Sequence, residues 1–286
     1  MSTLPENPSV AELVAVAEQV ARAAGRLVHE GRPDDVGVAA TKSSAVDVVT
    51  AMDLASEDLV RRTLARLRPD DGILGEEGGH QPGTSGVTWV VDPIDGTVNY
   101  LYGLPGYAVS VAAVVGEPTP ATWTALAACV HAPATAQTWT AGRGQGAYLD
   151  GRRLVLAPAP PLERCLLGTG FGYVAERRRA QGRVLAALLP QVRDVRRLGA
   201  AAVDLCQVAT GRLDLYYERG LQPWDLAAAA LVVQESGGVV TGLRGRPAGT
   251  DMTVAGDAAR VAELVALLEQ LGADAPDLPG ASPQAG

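Results

Sequence analysis

The chain has almost no lysine. Lys42 is the only lysine among 24 basic residues, and all the others are arginines. A basic excess is also missing, because 32 acidic residues bring the formal net charge to −8. Sequence-independent binding of nucleic acid depends on cations that neutralise phosphates, so this function class is disfavoured. A preference for arginine reflects genome composition, which makes the one retained lysine the unusual feature.

Cysteine and histidine are scarce, with three of each, scattered along the chain. The odd number of cysteines in apolar surroundings (Cys129, Cys165 and Cys206) predicts buried free thiols in a reducing compartment. Their spacing excludes a Cys/His zinc site. No basic region precedes an apolar run near the first residue, and no apolar run is as long as a membrane span. We therefore expect a cytoplasmic protein that does not insert into membranes.

Apolar patterning is plentiful, and 47% of the 286 residues are hydrophobic, which is typical of a globular protein with a large core. The patterning predicts helices at residues 9–30, 53–67, around 184–189, 224–236 and 258–271. It predicts strands at residues 46–50, 73–74, 89–91, 107–115, 122–130 and 239–243. This alternation indicates a layered α+β or α/β fold. We predict one domain over residues 1–272, with halves at about 9–155 and 156–272, and a disordered tail at 273–286.

Acidic residues follow directly after the predicted strands. Glu76 and Glu77 come after one strand, Asp92 and Asp95 after the next, and Asp225 stands just before an alanine-rich helix. A carboxylate at the end of a buried strand is costly to desolvate unless a positive charge compensates it. Several such carboxylates would repel one another without a hard cation between them. Mg²⁺ fits because it takes oxygen ligands and keeps some of its waters.

The segment Asp-Pro-Ile-Asp-Gly-Thr at residues 92–97 has a chemistry of its own. Pro93 restrains the backbone, so two acids three residues apart in a tight turn face one ion, and the Ile94 carbonyl is a further ligand. Gly96 permits close backbone approach, and the N–H groups of Gly96 and Thr97 can hold a phosphate oxygen. The Thr97 hydroxyl can orient a water. Together these groups predict a clamp for a phosphoryl group.

Taken singly, each acid also has a plain structural interpretation. Asp53 and Asp225 are then helix N-caps, and Glu76 and Glu77 belong to a solvated loop. Glu77 in particular is better read as solvated, or as a neighbour of the ligands, than as a ligand itself. The combination of all the motifs disfavours the purely structural interpretation.

The arginines and tryptophans admit plain interpretations as well. The arginines at residues 177–179 and at 193, 196 and 197 are read as solvated or at a subunit interface, with steering of an anionic substrate as the lesser alternative. Trp89 and Trp224 are read as core side chains that place the neighbouring acids.

Residues 92–97, Gly75-Glu76-Glu77 and Trp224-Asp225 together resemble the inositol monophosphatase family of Mg²⁺-dependent, lithium-sensitive phosphatases. The resemblance extends through Lys42, residues 46–50, Asp53 and residues 199–203, and covers about residues 9–268. Residues 98–103 and 195–199 are most similar to the actinobacterial inositol-1-monophosphatase branch. The resemblance implies an alternating α-β-α-β-α sandwich of the inositol monophosphatase and fructose-bisphosphatase type, and a homodimer.

The resemblance also implies a metal set of two to three Mg²⁺ ions. Glu76, Asp92 and the Ile94 carbonyl would hold the first ion, and Asp92, Asp95 and Asp225 would surround the second. A third, weaker ion would lie near Glu76.

The remaining roles follow from the same resemblance. Glu76 and Thr97 would activate the attacking water, Asp53 would support Thr97, and the loop that carries Lys42 would close over the site. Asp95, Gly96 and Thr97 would face the phosphate. The sugar contacts would come from Glu218, from the backbones of Gly199 and Ala201, and from Asp225, which would touch the hydroxyl beside the ester. No covalent phosphoenzyme is expected.

The implied reaction is hydrolysis of myo-inositol 1-phosphate to myo-inositol and phosphate. Histidinol phosphate, fructose 1,6-bisphosphate and 3′-phosphoadenosine phosphates remain open as substrates, because Ala200 stands where the family often has Ser or Thr. A regulatory binding role beside the transcription machinery is a second hypothesis. A nucleotide-binding oxidoreductase is weaker, since we interpret the glycine-rich residues 142–147 and 168–172 as hairpin turns.

Overall fold

The computed structural model describes residues 9–42 and 48–275. Helix α1 (Val10–Glu30) matches the helix predicted at residues 9–30, and Ser9 and Glu12 form a capping box at its start. The short strands β1 (Val38–Thr41) and β2 (Val48–Thr50) pair antiparallel and lead into helix α2 (Ala51–Leu67). Of the strand predicted at residues 46–50, the first two residues lie outside the described ranges.

The larger sheet has eight strands in the order β10-β9-β8-β7-β6-β5-β3-β4. Its strands are β3 (Gly72–Gly75), β4 (Gly79–Gln81), β5 (Val87–Asp95), β6 (Ala108–Val115), β7 (Thr124–Ala132), β8 (Gln137–Gly142), β9 (Gly146–Leu149) and β10 (Arg152–Arg153). Only the β3–β5 pair in this sheet is parallel. The short helix α3 (Thr97–Leu101) follows β5 directly.

The smaller sheet has five strands in the order β12-β11-β13-β15-β14. Its strands are β11 (Leu166–Thr169), β12 (Asp194–Arg196), β13 (Leu215–Glu218), β14 (Val239–Thr241) and β15 (Thr253–Gly256). Four helices accompany it: α4 (Ala175–Leu188), α5 (Ala201–Ala209), α6 (Pro223–Glu235) and α7 (Ala258–Gln270). No helix in the described part of the chain is long and apolar enough to cross a membrane.

Three apolar clusters lie between the layers and hold them together. One joins α1 and α2 to the outer face of the larger sheet around Trp89, and a second fills the space between the sheets with α5 and α6 around Leu205. The third joins α4 and α7 to the far face of the smaller sheet around Leu264. The layers therefore alternate α-β-α-β-α, and the predicted sandwich is confirmed. The division into one domain with two halves stays a prediction.

Several predicted elements differ from the structure. The helix predicted around residues 184–189 begins earlier, at Ala175. The prediction missed its first turns because they are polar and show no helical period of apolar residues. Helix α5 was not predicted at all, since it is buried on nearly every side and has no amphipathic pattern. Residues 142–147 form the predicted hairpin, but residues 168–172 do not: they lead from a parallel strand into α4.

The predicted disordered tail also needs correction. Ala273 is buried, and Asp274 pairs with Arg244 at 2.8 Å, so the order extends beyond α7. Residues 276–286 lie outside the described ranges. The three cysteines are buried and free, as the sequence predicts.

Candidate active site

A cavity of about 540 Å³ opens where the carboxyl ends of β3, β5 and β13 meet the amino ends of α5 and α6. All the residues that the sequence proposes for catalysis, metal and substrate line it except Asp53, which lies behind Thr97. One part of its lining, which we call the acidic end, contains Glu76, Asp92, Asp95 and Asp225, and the lining also contains Glu218, Arg177 and Arg197.

The segment Asp92–Asp95 is not the tight turn that the sequence suggested. Strand β5 continues through Asp95, and its register against β6 shifts between Asp92 and Asp95. Such an irregularity re-aims side chains at the end of a strand. The Asp92 carboxylate accepts a hydrogen bond from the N–H of Ile94 at 3.0 Å, which fixes the bend.

Three acids converge at the acidic end. One carboxylate oxygen from each of Asp92, Asp95 and Asp225 lies within 4.8 Å of the other two. Burial raises the pKa of Asp92 well above its ordinary value, and the charges of Glu76, Asp95 and Asp225 raise it further. Burial and the charge of Asp95 likewise raise the pKa of Asp225. Such a cluster of buried oxygen donors fits a hard divalent cation, which would relieve the repulsion.

The carboxylate of Asp95 is held by the amino end of α5. Its two oxygens accept hydrogen bonds from the N–H groups of Ala201 at 3.0 Å and Ala202 at 2.7 Å. Burial nevertheless raises the pKa of Asp95 to about 7. The Ala201 N–H, which the resemblance assigns to the sugar, is thus directed at Asp95 in this structure.

Asp225 is the third residue of α6 and not its N-cap. Its carboxylate accepts a hydrogen bond from the N–H of Gln222 at 2.7 Å, and Gln222 is the N-cap of a capping box. The start of the helix therefore fixes the acid that faces the cavity. Trp89 is fully buried as predicted, whereas Trp224 is half-buried and lines the cavity.

Asp53 is likewise the third residue of its helix, with Thr50 as the N-cap, so the cap interpretation is wrong here too. One carboxylate oxygen of Asp53 accepts hydrogen bonds from the N–H and hydroxyl of Thr50 at 2.8 and 2.5 Å. The other lies 3.0 Å from the Thr97 hydroxyl, which also lies 3.1 Å from the Ile94 carbonyl. Asp53 therefore connects α2 to the segment that follows β5.

Lys42 reaches the acidic end from the loop after β1. Its ammonium lies 2.6 Å from Glu76 Oε1 and 2.7 Å from Glu77 Oε1. Burial acts to lower the pKa of Lys42, but the charge of Glu76 and the hydrogen bonds to both acids outweigh it and raise the pKa. Burial raises the pKa of Glu76, although Lys42 opposes that shift, and Glu76 also shares a hydrogen bond with Asp92. Lys42 is thus part of the site.

Glu218, the last residue of β13, also lines the cavity. Tyr216 donates a hydrogen bond to Glu218, and burial raises the pKa of the acid to about 7. A Cβ at Gly170 would overlap this carboxylate, so only glycine lets the strand and the loop come so close. Gly96 and Gly199 have positive φ angles of 92° and 91°, and both line the cavity.

The sequence did not predict a role in the site for three residues of the cavity lining. Arg177 and Arg197 line the cavity, although we interpreted them as solvated or interface residues. Asp204 is buried in the wall and has one oxygen without a hydrogen-bond partner among the described residues. Burial and then the charges of Glu218 and Asp95 raise its pKa to about 9. A lone acid in the apolar run at residues 200–209 was the available signal.

A layered α/β fold with three clustered acids beside a cavity at the sheet ends is the arrangement of an enzyme that binds a divalent cation. The chain belongs to the inositol monophosphatase family, whose sequence model matches residues 9–273. It is 43% identical to an inositol-1-monophosphatase of Mycobacterium bovis, over 94% of this chain and 97% of that protein. It is 41% identical to a protein of Xylella fastidiosa named Nus factor SuhB, over 82% of this chain and 83% of the other.

Solved structures agree with this assignment. The structure of Mycobacterium tuberculosis SuhB superposes with a TM-score of 0.79 and 42% sequence identity, covering 93% of this chain and 99% of that one. The predicted membership of the family, and its actinobacterial branch, are therefore confirmed.

Proposed function

We propose that the protein hydrolyses myo-inositol 1-phosphate to myo-inositol and phosphate with Mg²⁺ as its metal. The observation that carries the proposal is the convergence of Asp92, Asp95 and Asp225 within 4.8 Å in the lining of a cavity that also contains Glu218. The three clustered acids suit a cation and a phosphate. Glu218 suits the hydroxyl groups of a polyol, since a carboxylate accepts hydrogen bonds from them.

The metal set follows the resemblance. Glu76, Asp92 and the Ile94 carbonyl would hold one Mg²⁺, Asp92, Asp95 and Asp225 a second, and a third, weaker ion would lie near Glu76. Bound Mg²⁺ lowers the pKa of a coordinated water and offsets the charge that builds on the phosphate oxygens.

The residues of the chain then orient the reaction. Thr97 holds the attacking water in line with the ester bond, and Asp53 fixes the Thr97 hydroxyl from behind. Glu76 accepts the proton as the new P–O bond forms and the ester P–O bond breaks. The departing alkoxide takes a proton from a solvent water to become the alcohol, and Glu76 returns its proton to the solvent. Lys42 keeps Glu76 in place from the other side.

Several features support a polyol as the leaving alcohol. Glu218 lines the cavity with its carboxylate fixed by Tyr216, and Gly199 and Asp225 line the same cavity. The two arginines there keep fructose 1,6-bisphosphate as a second candidate, because a second phosphate would suit Arg177 and Arg197. Histidinol phosphate and 3′-phosphoadenosine phosphates are weaker candidates.

A regulatory binding role is the rival function, and the name of the Xylella fastidiosa relative favours testing it. A pure binding module has no use for the acid cluster. We therefore expect Asp95→Asn to abolish phosphate release while the protein stays folded. Activity of this variant close to wild type would overturn the enzymatic proposal.

We also propose a cytoplasmic homodimer. The buried free cysteines favour a reducing compartment. Three apolar side chains are exposed, namely Tyr102, Leu104 and Leu198. Hydrogen bonds of Asn99 and Tyr100 connect the segments that carry them. A second copy of the chain would cover these side chains. Sedimentation of the full chain at micromolar concentration is expected to give a dimer, and a monomer would contradict the proposal. Inhibition by lithium is a further expectation from the resemblance.

A further inference from the structure

One face of helix α2 is polar and yet buried. Asp53 and Ser56 are fully buried, and Glu57 is 3% exposed. These residues are spaced i, i+3 and i+4, so they share one side of the helix. Buried polar side chains in a native protein are held by specific partners, and here the partners belong to the two acidic segments of the active site.

The partners of the first two residues lie at the end of β5 and directly after it. Asp53 contacts the Thr97 hydroxyl, and the Ser56 hydroxyl donates to the carbonyl of Pro93 at 3.0 Å. Both contacts therefore fix the segment that carries Asp92 and Asp95.

Glu57 contacts the other acidic segment, the three-residue turn at 76–78 that joins β3 to β4. Its carboxylate accepts hydrogen bonds from the N–H groups of Glu77 and Gly78, both at 2.7 Å. Arg61, one turn further along α2, donates to Glu57 at 2.8 Å and to the carbonyl of Gly79 at 2.7 Å. Two side chains of α2 thus hold the backbone of the turn from Glu77 to the residue that follows it.

The sequence of the turn is adapted to this contact. A Cβ at Gly78 would lie 2.7 Å from Glu57 Oε1 and 2.8 Å from Arg61 Nε, and a Cβ at Gly75 would overlap the Glu57 carboxylate. Glycine on both sides of Glu76 therefore lets a buried carboxylate lie directly beneath the backbone. Hydrogen bonds from backbone N–H groups to a buried carboxylate are short and strong, so the turn has little freedom to move.

We propose that Glu57 is a positioning residue for Glu76: it clamps the turn at 76–78 and so fixes the direction of an acid that holds metal and water. The inference rests on the proposed function of Glu76. It assigns to α2 a role in aligning the two acidic segments, one through Asp53 and Ser56 and the other through Glu57.

A purely structural role for Glu57 is the alternative, and the chain offers a matched control. Asp71 directly precedes β3, at the end of that strand opposite the turn at 76–78, and its side chain is 1% exposed. Its carboxylate accepts hydrogen bonds from Arg68 at 2.8 Å, Ser85 at 2.6 Å and Trp89 at 2.9 Å. Loss of Asp71 removes a buried, well-bonded carboxylate without touching the turn at 76–78.

The test is calorimetric titration of the full chain with MgCl₂ after removal of metal with EDTA, alongside thermal melting. We expect Glu57→Gln to weaken Mg²⁺ binding about tenfold and to lower kcat, with KM for inositol 1-phosphate unchanged. We expect Asp71→Asn to lower Tm comparably and to keep the Mg²⁺ affinity within about twofold of wild type. Equal effects of the two variants on Mg²⁺ affinity, or none from Glu57→Gln, would overturn the proposal.

A second variant approaches the contact from the other side. Gly78→Ala retains the Glu57 carboxylate, but the added Cβ pushes that carboxylate away from the turn. The same loss of Mg²⁺ affinity is therefore expected, and this test is available even if Glu57→Gln does not fold. Unchanged affinity in Gly78→Ala would then overturn the proposal. If wild type itself binds no Mg²⁺, the proposed function fails, and the role of Glu57 fails with it. Normal Mg²⁺ binding by both wild type and the Glu57 variant refutes the positioning role alone.

Discussion

Lys42 Nζ lies 2.6 Å from Glu76 Oε1, so the only lysine of the chain is an ion-pair partner of a predicted metal ligand. The same ammonium reaches Glu77 at 2.7 Å. A compact ammonium can make both contacts from one nitrogen, whereas a planar guanidinium presents its donors in a rigid fork. The retained lysine thus has a chemical reason in a chain otherwise rich in arginine.

Lys42→Arg is therefore expected to lower kcat about tenfold and to shift the Mg²⁺ concentration at half-maximal rate. Phosphate release at several Mg²⁺ concentrations measures both. Arg62→Lys is the control, because Arg62 makes only an exposed pair with Asp58 and should show wild-type kinetics. Unchanged rate and Mg²⁺ dependence in Lys42→Arg would mean that the lysine was retained by chance.

Removal of the Thr97 hydroxyl tests the orientation of the attacking water. Thr97→Val keeps the shape of the side chain but loses the group that lies 3.0 Å from Asp53. We expect kcat to fall about a hundredfold with little change in KM, because the hydroxyl acts on the reacting water. Thr97→Ser keeps the hydroxyl and should retain most of the activity. Steady-state kinetics in which the two variants match each other would count against this role.

Glu218→Gln tests recognition of the alcohol. We expect KM for inositol 1-phosphate to rise about tenfold, since a neutral amide accepts weaker hydrogen bonds from hydroxyls than a carboxylate does. Phenyl phosphate, which has no hydroxyl groups, should be hydrolysed at the wild-type rate, and Mg²⁺ affinity should not change. A parallel loss with both substrates would place Glu218 outside substrate recognition.

Asp204 predicts the pH dependence of stability without metal. Burial, with the charges of Glu218 and Asp95, raises its pKa to about 9, far above the value of 3.8 in an unfolded chain. At a pH between these two pKa values, Asp204 holds a proton in the folded protein that it has released in the unfolded chain. The free energy of unfolding therefore falls as pH rises.

Melting in EDTA at pH 6 and pH 8 measures this effect. We expect the Tm of wild type to fall more over this interval than that of Asp204→Asn, because asparagine has no proton to lose. For one buried group the slope is at most about 1.4 kcal/mol per pH unit. Equal falls in the two proteins would contradict the assignment.

The sequence predicts the parts of the fold and site that depend on local pattern. The capping box at Ser9, the hairpin at residues 142–147 and the acids after β3 and β5 all follow from short-range spacing. The alternation of five layers comes from the resemblance to the family, because no local sequence pattern contains it.

The remaining features depend on contacts between distant segments. Glu57 lies 20 residues from Glu77 in sequence, and Arg197 enters the cavity wall from the loop before α5. The polar residues at 53, 56 and 57 share one face of α2, but the sequence alone does not distinguish a solvated polar face from a buried one, so it did not assign a role to Glu57. For Arg177 and Arg197 no signal exists, because a charged side chain beside solvent and one beside a cavity have the same sequence pattern.

Phosphate release from a panel of esters, with and without Mg²⁺, tests the central claim most directly. The panel contains inositol 1-phosphate, histidinol phosphate, fructose 1,6-bisphosphate and a 3′-phosphoadenosine phosphate. The acid cluster and Glu218 predict that inositol 1-phosphate has the highest kcat/KM and that EDTA abolishes its hydrolysis. Faster turnover of any other ester, or hydrolysis that survives removal of the metal, would contradict the account.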